Sequence, residues 1–535
     1  MRTDKFMQAY ALTIDKFLDH AAKWHGDREV VQATAGGGTT RIGYAALRER
    51  AVRLSGALRS LGLAFGQRVG TLAWNTQHHF ELYYATMGMG LVCHTLNPRL
   101  TVAHLAAIIG EAEDRVLAVS ADLAPLAAQL APLCPTLDHI ILLDGGTDAD
   151  LPGALEYESL LAERGAPVDW GGFEEETPAG LCYTSGTTGR PKGVVYTHRS
   201  NYLHTLRALQ ADAIALTARD TVLPAVPMFH ANGWGIPFAA PAAGARLVLP
   251  GRHLDGASLA RLMREERVTV GIGVQTVWLG LVDHLDVTGE TLPDLERVLI
   301  GGSPCPEAQI RRMESRLGAH VQTSWGMTEL SPVGTIAPPV GTQRPGDDAG
   351  QVPMGLDLKL TDEDGVILPE QRGVVGRLYV RGPSVVDRYF GETSDALDAD
   401  GWFETGDLAT IDAEGNLSIR GRAKDLIKSG GEWINPVEIE AIVGRDPAVG
   451  QVAVIASPDP KWGERPILVV EPRQGKQIDR DRLVHALRGE VADWWIPDRM
   501  ARVAAMPLAA SGKIDKNRLR EDFAEGRLNG EPLAR

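Results

Sequence analysis

Cysteine is scarce: four occur in 535 residues, at Cys93, Cys134, Cys182 and Cys305, with no Cys-x-x-Cys pair among them. That scatter excludes a disulfide scaffold and a zinc ribbon, and the expected setting is a reducing cytoplasm. Each cysteine reads as a small apolar core residue. No apolar run reaches the roughly 18 residues that suggest a membrane-spanning helix. The first residues carry Arg2, Asp4 and Lys5 without the apolar stretch of a secretory leader. No integral-membrane part is expected. Positive charge is also short, with 54 Lys+Arg against 69 Asp+Glu and a net charge of -15. A dominant nucleic-acid function is thereby excluded, because phosphate backbones need a clustered basic face. A local basic pocket for nucleotide or coenzyme phosphates stays open. Three common signatures are missing: Gly-x-x-x-x-Gly-Lys-Ser/Thr, Gly-x-Gly-x-x-Gly and Gly-x-Ser-x-Gly. Their absence argues against the usual NTPase loop, the dinucleotide fold and the hydrolase elbow. There is no internal repeat and no low-complexity tract.

What is present is a long chain of ordinary globular composition, 44% hydrophobic and 23% charged. Its length is too great for one core, so two or more domains are expected. The stretch Tyr183-Thr184-Ser185-Gly186-Thr187-Thr188-Gly189-Arg190-Pro191-Lys192-Gly193 stands out. Hydroxyl side chains interleave with glycines, which allow tight turns and close approach of backbone to ligand. Ser and Thr supply donors, and Lys192 supplies a mobile cation. Flanked by strand-like Ala179–Cys182 and Val194–Tyr196, the stretch reads as a polyphosphate-binding loop.

Helical periodicity predicts helices over Thr13–Trp24 and Tyr44–Leu61, the second stopped by Gly62. Arg68–Trp74, Arg115–Ser120 and His139–Leu143 read as strands, His79–Met89 as a helix. Beyond the loop, Thr221–Val226, Arg246–Leu249, Val268–Val274 and Arg297–Ile300 read as strands. They alternate with helices over Leu254–Glu266 and Pro306–Leu317, the latter with proline in its first turn. Alternation predicts an α/β fold of helix-covered, mostly parallel sheets, with ligands beyond the carboxyl ends of the strands. Texture changes at the Pro- and Gly-rich segment 334–350. Two hairpins are expected beyond it, Leu356–Thr361 with Val366–Leu368 and Leu408–Ile411 with Leu417–Ile419. We expect an N-terminal domain over residues 1–422, including a β-rich subdomain at about 350–421. A small mobile α/β domain over 423–535 would follow, with a helix capped by Asn435-Pro436, strands Gln451–Ala456 and Ile467–Glu471, and a helix over Asp479–Arg488.

Five motifs occur in order: the loop at 183–193, Thr323-Ser324-Trp325-Gly326-Met327-Thr328-Glu329, Thr405-Gly406-Asp407, Gly421-Arg422-Ala423-Lys424-Asp425 and Ser511-Gly512-Lys513. Together they resemble the acyl-adenylate-forming superfamily of acyl-CoA synthetases, luciferases and peptide-synthetase adenylation domains. Pro227-Met228-Phe229-His230 and Lys428-Ser429-Gly430-Gly431-Glu432-Trp433-Ile434-Asn435 are similar to the medium- and long-chain fatty-acyl-CoA synthetase and 3-methylmercaptopropionate-CoA ligase branch. The resemblance implies an AMP-forming ligase using ATP, Mg²⁺ and coenzyme A. A carboxylate attacks the α-phosphate to give acyl-adenylate and pyrophosphate, then the CoA thiol displaces AMP.

The same resemblance implies residue roles. Thr184, Ser185, Gly186, Thr187, Thr188 and Lys192 would hold the β- and γ-phosphates, and Glu329 with Thr184 would bind Mg²⁺. Gly301, Gly302, Ser303, Ser324, Gly326 and Met327 would line the nucleotide site, with Trp325 stacked on adenine and Thr328 on the α-phosphate. Asp407 and Arg422 would take the ribose. Lys513 would bridge carboxylate and α-phosphate as the catalytic cation of the first step, with Thr184, Glu329 and His230 beside it. His230, Trp234, Val274, Gly302, Gly326 and Pro332 would form the acyl site, and Gln275, Thr276 and Trp278 are added to its lining. Lys428, Ser429, Gly430, Gly431, Glu432 and Trp433 would meet CoA after rotation about a hinge at Lys424. A homodimer is implied as well. Acyl transfer to a carrier protein, or a catalytically inactive nucleotide or acyl binder, are the alternatives.

Overall fold

A computed structural model describes residues 7–145, 151–184, 191–303, 305–339, 348–430, 432–509 and 513–533. Among these residues the strands form four sheets. The first, seven-stranded, runs in the order Leu155–Glu156, His139–Leu142, Val116–Val119, Arg68–Leu72, Val92–Thr95, Pro178–Thr184 and Lys192–Thr197. Every neighbouring pair is parallel except the last, an antiparallel hairpin. The second, eight-stranded, has a parallel centre of Arg297–Gly301, Val270–Val274, Thr221–Pro224 and Arg246–Leu249, closed by antiparallel pairs at both edges. Strands such as Val116–Val119 are buried at every position, as sheets covered on both faces require.

The helices Asp15–Trp24, Tyr44–Ser60, Gln77–Gly88 and Ile236–Ala243 lie between the two sheets. Their Phe17, Leu47, Phe80, Tyr84 and Phe238 pack with Val30 and Leu247 of one sheet and Cys93 and Ala179 of the other. A four-stranded antiparallel sheet follows, from Asp357–Thr361 to Leu417–Arg422. The last sheet, six-stranded, is centred on the long hairpin Val449–Asp459 with Gly463–Pro472.

Most expected elements are present. Arg246–Leu249 is a strand over the expected residues, and Asn435 and Asp479 cap the helices Pro436–Val443 and Arg480–Leu487 through their side chains. Three expectations are corrected. Val366–Leu368 is not a strand. The Asp362 carboxylate takes the N–H groups of Asp364 and Val366, and the remaining cross-hairpin bonds, Asp362 N–H to Val366 and Leu368 N–H to Leu360, make one isolated bridge, Thr361 to Ile367, in place of a ladder. Pro306 is the N-cap of its helix, not a member of the first turn, and the helix begins at Glu307. Trp278 does not line a pocket. It is fully buried against Gly271 and Gly273 in the packing on one face of the eight-stranded sheet, and its indole N–H donates to the Leu299 carbonyl at 3.3 Å.

Candidate active site

The site is built where strand ends from both large sheets meet the β-rich sheet and the C-terminal sheet. Thr184 ends the strand Pro178–Thr184, and its cross-strand partner is Lys192. The base of the loop is therefore fixed as a hairpin, while Ser185, Gly186, Thr187 and Thr188 lie outside the described residues. The Lys192 ammonium sits 4.5 Å from the centre of the Tyr389 ring. The Tyr389 hydroxyl donates to Glu329 at 2.9 Å. Phe390 N–H donates to the Gly193 carbonyl at 2.8 Å. The loop base and the acid of the Trp325–Glu329 motif are thus tied together through a tyrosine that no motif singles out.

Glu329 is buried, and desolvation raises its pKa. Its own backbone, the Tyr389 hydroxyl, Arg422 and Lys192 oppose that shift without cancelling it. A buried carboxylate favours a cation, and oxygen donors such as Glu329 and Thr184 suit Mg²⁺. Among the described residues no three His, Cys, Asp or Glu side chains cluster into a metal cage.

Asp407 and Arg422 are cross-strand partners in the β-rich sheet, and their ion pair measures 2.8 Å. The other Asp407 oxygen accepts from the Trp325 indole N–H at 2.9 Å. Each oxygen keeps a second lone pair, so the carboxylate can still accept from two hydroxyls. Desolvation raises the Asp407 pKa, against Arg422, Trp325 and Lys513. Trp325 is itself 8% exposed and rests on Gly334, where a methyl group would collide with its ring. Only a small part of the indole is left for an adenine to rest on.

The strand Arg297–Gly301 ends at the point where the most elements converge. A methyl group on Gly301 would stand 2.6 Å from Ser324 Oγ and 3.2 Å from the Trp234 ring. One on Gly302, whose φ is +88°, would stand 3.4 Å from Val274, 3.7 Å from Lys513 Cε and 4.0 Å from Trp234. Ser324 Oγ donates to the Ile300 carbonyl at 2.9 Å, and Ser303 is exposed. Gly326 is needed because a side chain there would lie 2.4 Å from the Pro332 carbonyl, which accepts from Met327 N–H at 3.0 Å. Tyr196 donates to the Thr328 carbonyl at 2.9 Å.

Lys513 reaches this point from the C-terminal part of the chain. It stands on a small hairpin in which Ala509 N–H donates to the Lys513 carbonyl at 2.7 Å and Leu508 bridges Ile514. Its side chain is exposed, with enough protein around it for desolvation to be felt. Desolvation lowers its pKa, with Arg422 adding to that and Asp407 and Glu329 opposing it. One cation and two carboxylates from three elements thus face the same space.

His230 precedes a left-handed turn, and Trp234 lies within it. Ala231, Asn232, Gly233, Trp234 and Gly235 have φ of 41°, 55°, 60°, 54° and 76°. Left-handed geometry costs roughly 1–2 kcal/mol for each residue with a Cβ, so this turn is held by its surroundings.

The expected CoA residues are elsewhere. Lys428 lies 5.2 Å from the ring of half-exposed Trp433, and Ser429 accepts from Arg465 at 3.1 Å. Gly430 donates to the Trp462 carbonyl at 2.7 Å; Glu432 is exposed, and Gly431 lies outside the described residues. These partners all belong to the C-terminal sheet region. Lys424 occupies the short turn Ala423–Asp425, which Asp425 ties to Arg520 at 2.7 Å.

Two mostly parallel sheets, a β-rich sheet and a small C-terminal sheet that delivers a lysine beside Gly302 have the layout of a nucleotide-dependent carboxylate-activating enzyme. The family model described as AMP-binding enzyme matches residues 17–390, and that of the AMP-binding enzyme C-terminal domain matches 438–513. The chain belongs to the AMP-binding enzyme family. It is 42% identical over 532 residues to the 3-methylmercaptopropionyl-CoA ligase of Ruegeria lacuscaerulensis, covering 97% of this chain and 98% of that protein. It is 41% identical over 531 residues to the medium-chain-fatty-acid–CoA ligase of Ectopseudomonas oleovorans, covering 97% of each. Among solved structures, the ATP-bound MatB of Rhodopseudomonas palustris superposes with a TM-score of 0.83 at 29% identity, over 96% of this chain and 99% of that one. The anthranilate CoA ligase AuaEII in complex with anthranoyl-AMP shares the fold with a TM-score of 0.88 at 23% identity, over 98% of this chain and 100% of that one. The protein is an ATP-dependent, AMP-forming acyl-CoA ligase.

Proposed function

We propose that the protein activates a short thioether acid such as 3-methylmercaptopropionate, or a medium- or long-chain fatty acid once Trp234 moves. The observation that carries this reading is the convergence of Lys513, Val274 and Trp234 on Gly302. The Trp234 ring stands over Gly301 and Gly302, and a ring in that place favours the short acid. The named activities of the relatives support both substrate classes.

In the first half-reaction, Lys513 would hold the carboxylate and an α-phosphate oxygen together. Its lysine charge would offset the negative charge that builds between two approaching anions. Thr184 and Lys192 would hold the outer phosphates, and Asp407, fixed by Trp325 and Arg422, would take the ribose. Glu329 and Thr184 would hold Mg²⁺, which supplies charge neutralisation on the phosphates. Rotation about Lys424 would then withdraw Lys513 and present Lys428, Ser429, Gly430, Glu432 and Trp433 to CoA, with Trp462 beside them. A few residues absorbing the dihedral change suffice for such a hinge. In this reading residues 423–535 move as the small unit. A cytoplasmic homodimer is proposed too. The homodimer rests on the family resemblance, and the compartment on four scattered cysteines with no Cys-x-x-Cys pair.

The test is a panel of acids from 3-methylmercaptopropionate to hexadecanoate, read as AMP release with and without CoA. Turnover highest with the short thioether acid supports the reading. Turnover highest with hexadecanoate assigns the long-chain class, and acyl transfer only to a carrier protein overturns the CoA assignment.

A further inference from the structure

The helix His198–Ala208 follows the phosphate-loop hairpin directly, capped by Thr197 and Ser200. Its buried face is polar: Asn201, His204 and Arg207 are each at most 3% exposed. Buried polar groups cost free energy unless they are paired, so their partners are informative. His204 Nε2 accepts from Val333 N–H at 3.2 Å. Arg207 donates to the Val333 carbonyl at 2.8 Å, the Leu330 carbonyl at 3.5 Å and Ser384 Oγ at 2.8 Å. Ser331 Oγ donates to the Ser384 carbonyl at 3.0 Å, and Val386 N–H donates to the Glu329 carbonyl at 2.8 Å. The segment carrying Glu329 and Pro332 is therefore gripped along its length.

The same helix face holds the acyl-side turn. Asn201 accepts from the Asn232 amide at 3.4 Å. A methyl group on Gly235 would stand 2.8 Å from His204 Cε1 and 2.9 Å from its Nδ1. His204 thus lies between the turn that carries Trp234 and the segment that carries Glu329. Because Nε2 accepts, Nδ1 carries the proton, and burial keeps the ring neutral by lowering its pKa well below the ordinary value. Arg207 has no carboxylate partner among the described residues, and burial pushes its pKa down to about 10. A buried charge without a counter-charge is a cost to the fold, and here its donors go to a segment of the site.

We infer that His204 and Arg207 are positioning residues that hold the Trp234 turn and the Glu329–Val333 segment in one register, so that the carboxylate and Mg-ATP meet in line. This deepens the ligase reading and rests on it. Its consequence is a linked loss: disturbing the helix face weakens both adenylation substrates together.

The test compares His204→Leu, which removes the acceptor for Val333, with His204→Gln, whose amide oxygen lies near the position of Nε2. A buried donor left without its acceptor costs a factor of about ten. His204→Leu is expected to raise KM for Mg-ATP and for the carboxylate about tenfold each in pyrophosphate exchange. His204→Gln is expected to restore most of that, and thioester formation from supplied acyl-adenylate is expected to stay within about threefold. Arg207→Lys, which keeps the charge but loses the planar fork, is the second variant should His204→Leu not fold. It is expected to show the same split. Equal loss in both half-reactions, or a glutamine that restores nothing, overturns the inference. Wild-type protein without carboxylate-dependent pyrophosphate exchange overturns the ligase reading instead.

Discussion

Trp325 shows how one side chain serves the site through another. Its N–H fixes one oxygen of Asp407 at 2.9 Å, while Arg422 fixes the other at 2.8 Å. Trp325→Phe keeps an aromatic ring and deletes one hydrogen bond to a charged group, worth about 1.5–3 kcal/mol. We expect KM for ATP to rise by about tenfold or more, with kcat for pyrophosphate exchange little changed, in a steady-state titration of ATP. Glu329 makes a prediction about stability. A carboxyl whose folded pKa is raised contributes stability below its unfolded value and withdraws it as pH rises through the folded value. Ionised Glu329 is therefore a burden on the free protein at pH 7, shed as pH falls toward the ordinary carboxylate value of 4.5. Glu329→Gln should melt higher than wild type at pH 7, with the difference shrinking in melts taken stepwise toward pH 5. It should also lose the stabilisation that Mg-ATP confers on wild type.

Among the elements, the left-handed turn Ala231–Gly235 is the least ordinary. The Asn201–Asn232 hydrogen bond meets it from one side, His204 lies beside Gly235, and the Trp234 ring stands over Gly301. Trp234→Ala should open the space over Gly301 and Gly302 and move the preferred acid toward longer chains. The same AMP-release panel checks this, and an unchanged chain-length profile would place the acyl pocket elsewhere. Elements with an apolar stripe or a side-chain cap were legible in the sequence, as with Arg246–Leu249 and the Asn435 cap. The helix His198–Ala208 was not, because its buried face carries histidine, asparagine and arginine where periodicity seeks leucine. Trp278 was misread because an aromatic after a strand end looks the same from the sequence whether it faces a pocket or the packing against a sheet. Motif residues such as Glu329, Asp407 and Lys513 were singled out by resemblance alone. Tyr389 was not, since its link to Glu329 spans 60 residues and no local pattern marks it.

At the scale of the whole molecule, the arrangement has a direction. Lys513 stands beside Gly302, and Lys428, Ser429 and Gly430 are engaged within the C-terminal sheet region, which is the geometry the proposed first half-reaction calls for. If the small unit turns about Lys424, fixing φ there with Lys424→Pro should retain pyrophosphate exchange and abolish thioester formation. Unchanged overall turnover would put the hinge at another residue. The central claim is that Lys513 serves adenylation alone. The most direct measurement takes Lys513→Ala through the two half-reactions separately: carboxylate-dependent pyrophosphate exchange, and CoA thioester formation from supplied acyl-adenylate. We expect exchange to fall by at least about a hundredfold, as for removal of a preorganised charge at the reacting centre, while thioester formation is retained. Equal loss of both would contradict the account.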